Sequence, residues 1–269
     1  MQIVTEPTVT VVATTQFRPH PNTAYQIPDD WQGGYGHHYV GLGAFMAKGC
    51  YDSFGKGGRS CKENQREVIA QRHGSVLEHL MISVYVTGIT RACSLELNRH
   101  RPLAISQRST RYTEEEGAAL VLEPYYAELY EKWYRATHPV LTSVEWSLIN
   151  GHLEAAKHAF VRYGIEVERL MALNPFGLTN EKELRKWARG KARNILPHGL
   201  ETRVGYTGNL RAWRWVIEAR SSRFAEDEVR RLAHHLFVAL STEAPLYFED
   251  YQSEMVRGIT EYTTPHRKV

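Results

Sequence analysis

Cysteine is scarce in this chain, and the scarcity excludes two architectures at once. Cys50, Cys61 and Cys93 leave one thiol over and show no Cys-x-x-Cys spacing, so neither a disulfide framework nor a structural zinc site is indicated. Apolar runs of membrane-spanning length, roughly 20 residues, are also absent. The opening Met1-Gln2-Ile3-Val4-Thr5-Glu6-Pro7 lacks a basic region followed by an apolar one. The expected location is cytoplasmic, with no membrane partner. Charge of one sign is not in excess: 33 Lys+Arg against 30 Asp+Glu leave +3 at pH 7, which argues against a nucleic-acid partner and makes any basic site local. Gly55-Lys56-Gly57-Gly58-Arg59-Ser60 has neither Walker nor Rossmann spacing and reads as a flexible turn. With 42% apolar residues over 269 positions and no repeat or domain-splitting linker, the chain can bury a core without staples.

What is present reads as an α+β fold. Residues 8–15 are rich in β-branched types and predict a strand, and residues 18–38, with three prolines and three glycines, a long irregular loop. Leu80, Ile82, Val84 and Val86 alternate with Met81, Ser83, Tyr85 and Thr87, a strand pattern that ends at Gly88. Residues 89–100 then predict a helix with Glu96, Arg99 and His100 on one face. Further helices are predicted over 123–136, 143–171 and 181–194, and a strand over 202–207. The helix after Gly208-Asn209 carries Trp213, Val216, Ile217 and Arg220 on one stripe, so Arg220 needs an acceptor to offset its desolvation. A last core-facing helix starts at Val229 with Leu232, Ala233, Leu236, Phe237 and Leu240. Because strands and helices do not alternate strictly, we expect one domain over 1–257 with a mostly antiparallel sheet and several long helices, and a polar tail over 258–269.

The chemistry concentrates in Arg99-His100-Arg101-Pro102-Leu103-Ala104-Ile105-Ser106-Gln107-Arg108-Ser109-Thr110-Arg111-Tyr112, where four arginines follow an apolar segment. Rigid guanidinium forks grouped in this way suit a phosphorylated ligand, although a solvated basic strand has the same composition. Cys93 is the one thiol near this stretch, and it reads as a small packed hydrophobe rather than a nucleophile. His73, Glu78 and His79 do not have the i, i+4 histidine spacing of a zinc helix, so no metal is inferred.

Arg-His-Arg followed after seven residues by Ser-x-Arg resembles the signature of the flavin-dependent thymidylate synthases. Other segments match that family in order: Cys50-Tyr51-x-Ser53, His73-Gly74-Ser75-Val76-Leu77-Glu78-His79, Thr87-Gly88-Ile89-Thr90-Arg91 and Ala192-Arg193-x-x-Leu196-Pro197. Glu201-Thr202-Arg203, Thr207-Gly208-Asn209-x-Arg211-Ala212-Trp213, Arg220 and Arg230-Arg231-Leu232-Ala233 follow. The resemblance implies that family's fold and methylation of C5 of a uridine 5′-monophosphate, dUMP or UMP. FAD would be the cofactor, with methylenetetrahydrofolate as carbon donor and NADPH as reductant. It implies homotetramers with sites between subunits. Glu96, Arg99, Gln107, Arg108, Ser109, Arg111, Arg193 and Arg220 would bind the nucleotide, Arg220 and Ser109 being the catalytic residues. His73, Ser75, Glu78, Arg99, His100, Arg101, Asn209, Arg211 and Trp215 would line the flavin side.

Departures from the family pattern are local. Pro102, Ala104 and Ile105 replace a loop that usually carries aromatic or hydroxyl groups, and Arg108 stands where leucine is common. Trp215 and Phe224 occupy flavin-side positions where histidine or asparagine is common. Arg108 reads as an added donor beside the nucleotide, and Ala104 as space near the ribose. A second reading from another class is a non-catalytic nucleotide- or RNA-binding protein, in which Trp213-Arg214-Trp215 and Arg111-Tyr112 stack on bases.

Overall fold

The computed structural model describes residues 1–33, 36–55, 58–115, 117–135 and 141–267. The elements begin with β1 (Gln2–Val4), β2 (Thr8–Thr14), α1 (His37–Cys50), α2 (Cys61–Ala70), β3 (Met81–Thr90) and α3 (Arg91–Leu97). Next come β4 (Ala104–Gln107), β5 (Ala119–Val121), α4 (Pro124–Arg135), α5 (Ser143–Leu173) and α6 (Glu181–Ala192). The chain ends with β6 (Glu201–Asn209), α7 (Leu210–Ser221), α8 (Asp227–Glu243), β7 (Gln252–Val256) and β8 (Ile259–Thr263). Contacts divide it into two compact units: Met1–Pro7, Thr87–Leu95 and Gln107–Val204 form the first, and Thr8–Val86, Glu96–Ser106 and Gly205–Val269 the second. Four strands follow the order β2-β3-β6-β4. The Leu210 N–H donates to Leu80 O while Ser83 meets Thr207, so β3 and β6 run antiparallel.

In the first unit β1 and β5 pair in parallel, and Leu120 and Leu122 join Leu129, Ile149, Phe160 and Leu200 in one core. The long helix α5 starts at a capping box, in which Thr142 Oγ1 accepts the Glu145 N–H and the Glu145 carboxylate accepts the Thr142 N–H. Asn174, in the left-handed region at φ 36°, stops it. Tyr163 and Val167 of α5 then pack on Ala188 and Ala192 of α6.

In the second unit the predicted α7 stripe is the buried one: Trp213, Val216 and Ile217 are fully covered, and Trp213 Nε1 donates to Ile82 O at 3.1 Å. A fully buried Trp213 cannot stack on a nucleic-acid base, which removes one support of the RNA-binding reading. Asn209 caps the helix by accepting the Ala212 N–H at 2.8 Å. Two buried arginines hold the C-terminal region. Arg214 forms a bidentate pair with Asp250 at 2.7 and 2.8 Å, and Arg230 donates to Val256 O and Ile259 O at 2.8 and 2.9 Å.

Several boundaries differ from the sequence expectation. The helix expected over 89–100 is shorter, because β3 continues through the buried, β-branched Ile89 and Thr90, and Thr90 Oγ1 accepts the Cys93 N–H as α3 begins. Gly88 does not end the strand; it takes φ +71°, and a Cβ there would lie 2.8 Å from Glu6 O. The expected loop over 18–38 contains two 3-10 turns, Thr23–Tyr25 and Asp29–Trp31, and α1 starts at His37. Part of the expected glycine turn, residues 56–57, lies outside the described residues, as does residue 136 at the end of the helix expected over 123–136. Within residues 258–269, read as a polar tail, Ile259–Thr263 form β8 in register with β7. The ring of Tyr262 there stacks on Phe237 with centroids 3.8 Å apart.

Candidate active site

The second unit answers the question posed by an arginine on an apolar stripe. Arg220 Nε donates to His100 Nε2 at 2.8 Å, Nη1 to Glu96 Oε2 at 2.9 Å and Nη2 to Glu96 O at 2.7 Å. Three of the five N–H donors of a guanidinium are thus engaged, and its side chain keeps 18% exposure, so two donors remain for a ligand. The contact also fixes the imidazole. His100 is buried, and desolvation followed by the repulsion of Arg220 pushes its pKa down to about 4. It is neutral near pH 7, with the proton on Nδ1 and the lone pair of Nε2 turned to the guanidinium. Arg99 is exposed and reaches Glu96 only at 3.8 Å; Arg101 is exposed.

A cavity of about 330 Å³ in the same unit is lined by Glu78, Pro102, Asn209, Arg211, Ala212 and Trp215. It gathers four of the residues expected on the flavin side, and Arg211 pairs with Glu78 at 2.5 Å. Arginine donors for a diphosphate beside a half-exposed indole face form a donor set that fits a flavin nucleotide. Ser75 and His73 are exposed, and His73 Nδ1 lies 3.4 Å from the Tyr51 hydroxyl. Phe224 is 92% exposed. Among the described residues no three His, Cys, Asp or Glu side chains gather as a metal site.

The first unit holds the rest of the expected set. Gln107 Nε2 donates to Ser94 Oγ at 2.8 Å and Thr202 Oγ1 at 3.2 Å, which sets the direction of its amide. Ser109 Oγ accepts the Arg111 N–H at 3.3 Å, and Ser109 O accepts those of Tyr112 and Thr113, so the serine closes a turn. Arg111 is exposed. Arg193 opens the 3-10 turn after α6 and lines a cavity of about 490 Å³ with Arg91, Thr110, Asn194, His198 and Leu200. Arg108 keeps 23% side-chain exposure while its Nη2 pairs with the buried Glu115 at 3.0 Å and its Nη1 lies 3.9 Å from Glu201, so the fold takes up part of the guanidinium read as an added donor.

Sequence reasoning assigned no role to Arg91, although it stands at the start of α3 and shares the cavity with Arg193. Burial lowers its pKa, and Arg193 and Arg108 lower it further against the pull of Glu115. A partly dehydrated Arg91 and an exposed Arg193 around one cavity make an anion receptor. The available signal was position alone: Arg91 ends one of the segments that match the family. Cys93 is buried, in line with its reading as a packed thiol.

A family profile described as thymidylate synthase complementing protein matches residues 40–246. A flavin-dependent thymidylate synthase of Mycolicibacterium vanbaalenii is 34% identical over 259 residues, covering 95% of this chain and 94% of that protein. The Mycobacterium tuberculosis protein of the same name is 33% identical over the same span. Among solved structures, a UMP/dUMP methylase, PolB, from Streptomyces cacaoi bound with 5-Br dUMP aligns with a TM-score of 0.62 at 20% identity, covering 93% of this chain and 96% of that one. Thymidylate synthase X of Helicobacter pylori, solved with FAD and dUMP, aligns at 0.50 and 21% identity over 90% and 98% of the two chains. These likenesses carry the α+β fold, while the profile and the curated relatives carry kinship: the chain belongs to the flavin-dependent thymidylate synthase family and is a methyltransferase of that type.

Proposed function

We propose that the protein methylates C5 of a uridine 5′-monophosphate nucleotide, with FAD as its resident cofactor, methylenetetrahydrofolate as carbon donor and NADPH as reductant. The observation that carries this reading is the set around Arg220: a guanidinium fixed by Glu96 and a neutral His100, with two donors left over. Net methylation replaces the C5 hydrogen, lost as a proton, with a methyl group built from the folate methylene and a hydride equivalent. For C5 to attack the one-carbon unit, negative charge must build on N3 and the ring carbonyls. A cation already oriented stabilises that charge without reorganising. Arg220 is assigned that role. Glu96 and His100 hold it in place, and a neutral His100 adds no second positive charge to oppose it.

Arg91 and Arg193 are assigned to the nucleotide phosphate, with Gln107, Ser109 and Arg111 on the same unit as further nucleotide contacts. Arg99, Arg101, Asn209, Arg211 and Trp215 are assigned to FAD, which when bound supplies the reducing equivalents. Assembly into a homotetramer with sites between subunits belongs to the same proposal.

Both dUMP and UMP are expected as substrates. Of the two sequence arguments for tolerance of a ribose, the donor on Arg108 is shared with Glu115. Ala104 remains, a short side chain exposed on β4. The Streptomyces cacaoi methylase, named for both nucleotides, supports the same breadth. A difference of ~1.4 kcal/mol or less in transition-state binding keeps the two rates within about tenfold.

Flavin-loaded enzyme offered dUMP and UMP with methylenetetrahydrofolate and NADPH should yield, by mass analysis, products heavier by one methylene. Absence of methylated product from either nucleotide would defeat the enzyme reading. Arg220→Ala should fold and retain flavin yet lose turnover on the order of 100-fold or more, the effect of removing one preorganised donor. Near-normal turnover would exclude Arg220 from the chemistry. The histidine makes a separate prediction about acid. Because its pKa is lowered from 6.5 to about 4 on folding, the unfolded chain takes up this proton first as pH falls. The contribution of His100 to stability is present above pH 6.5 and declines between there and pH 4. His100→Gln, which has no such proton, should therefore show a shallower fall of urea midpoint across that interval; equal slopes would show that His100 is not held neutral.

A further inference from the structure

The first unit surrounds Arg108 with acid. Its Nη2 lies 3.0 Å from Glu115 Oε2 and donates to Glu114 O at 3.3 Å, while Nη1 lies 3.9 Å from Glu201 Oε2. Glu115 is fully buried and Glu201 nearly so. Exposed ion pairs contribute little, but here the carboxylates are dry, and a buried charge stripped of its partner is strongly unfavourable. Burial pushes the Glu115 carboxyl up, and Arg108 is the largest influence pulling it back, ahead of Arg91.

The ion pair closes a ring through the segment that carries two expected nucleotide contacts. The Arg108 N–H donates to Arg203 O at 2.9 Å, which fastens the start of the segment to β6. Thr113 Oγ1 sits 2.8 Å from Ser109 O and 2.9 Å from Glu115 Oε1, its one proton shared between two acceptors. Ser109 in turn accepts the Arg111 N–H. Glu201 anchors the other side, since its Oε1 accepts the Gly88 N–H at 3.2 Å and Arg203 Nε at 3.3 Å. Arg108, Glu115, Thr113 and Ser109 therefore form one connected turn, tied through Glu201 to the end of β3.

We propose that Arg108 is a positioning residue: with Glu115 and Glu201 it forms an ionic clamp that holds residues 108–115 in the shape in which Ser109 and Arg111 receive the uridine nucleotide. The clamp rests on the contacts above; its positioning role rests on the uridylate reading. In this chain the arginine and its carboxylates act as one unit, so exchanging one member leaves its partner's charge buried and unpaired.

Arg108→Leu, Glu115→Gln and the double variant, each loaded with FAD, would be titrated calorimetrically with UMP and dUMP and unfolded thermally without nucleotide. We expect each single change to weaken nucleotide binding about tenfold, and the double to weaken it far less than the product of the singles, as contacting partners do. Flavin absorbance should be unchanged, because the clamp lies outside the residues assigned to FAD. Effects that multiply would overturn the clamp. A double variant as weak as Arg108→Leu, with Glu115→Gln binding normally, would make Arg108 a direct nucleotide contact and also overturn it. Unchanged nucleotide binding with coupled unfolding would overturn the positioning role and leave a structural ion pair. If Arg108→Leu does not fold, Arg108→Lys takes its place in the cycle; it keeps the charge, loses the planar fork and should show the same non-additivity at smaller size. A parent protein that binds neither nucleotide would defeat the uridylate reading, whereas coupled unfolding of 108 and 115 would still report the clamp.

Discussion

A guanidinium taken out of water must be given acceptors, and the candidate chemistry of this protein depends on how incompletely that requirement is met. The desolvation penalty for an ion in a protein interior is several kcal/mol, so each buried arginine here comes with its own acids or carbonyls. Arg214 and Arg230 are almost wholly covered and are held by internal acceptors: Asp250 and Tyr247 O for the first, two strand carbonyls and Asp227 for the second. They fasten the C-terminal hairpin and α8. Arg220 is different. It is ordered by Glu96 and His100 yet keeps 18% of its side chain exposed, so its charge is preoriented without being consumed.

The same distinction sorts the basic signature. Arg99, Arg101 and Arg111 are exposed and can meet an anion at the surface. Arg193 and Arg91 are grouped around a cavity and partly dehydrated at Arg91, where a phosphate would gain more from each contact than in open water. Arg108 has the residue type of the others and a different occupation, because Glu115 and Glu201 compete for it from within the fold.

How much of this was legible follows from the range over which each signal acts. The α7 stripe and the β3 alternation are local periodicities, and the buried faces match them residue for residue through Trp213, Val216 and Ile217 and through Ile82, Val84 and Val86. The identity of Arg220 as a residue in need of a partner could be read the same way, though not that Glu96 and His100 would supply it. Helix α1 was hidden by its glycines. Gly41 is there because a Cβ would come within 2.7 Å of the Phe17 ring and 2.9 Å of Trp31, a tertiary reason that overrides helix propensity. The strands β7 and β8 were hidden by polar composition, since a two-stranded hairpin with one exposed face carries little hydrophobic alternation. The acid that approaches Arg108 from β6 was beyond reach for another reason. Glu201 lies more than ninety residues away in the chain, and no periodicity links it to the loop.

The central claim is that this arrangement of charge serves bond formation at C5 of the uracil ring. The most direct measurement uses uridylate tritiated at C5, with tritium release into water followed alongside methylated product in the complete reaction. The account predicts one tritium released for each methyl group gained, because the new carbon–carbon bond replaces the C5 hydrogen. Methylated nucleotide that retains its tritium would place the methyl group elsewhere on the molecule and contradict it.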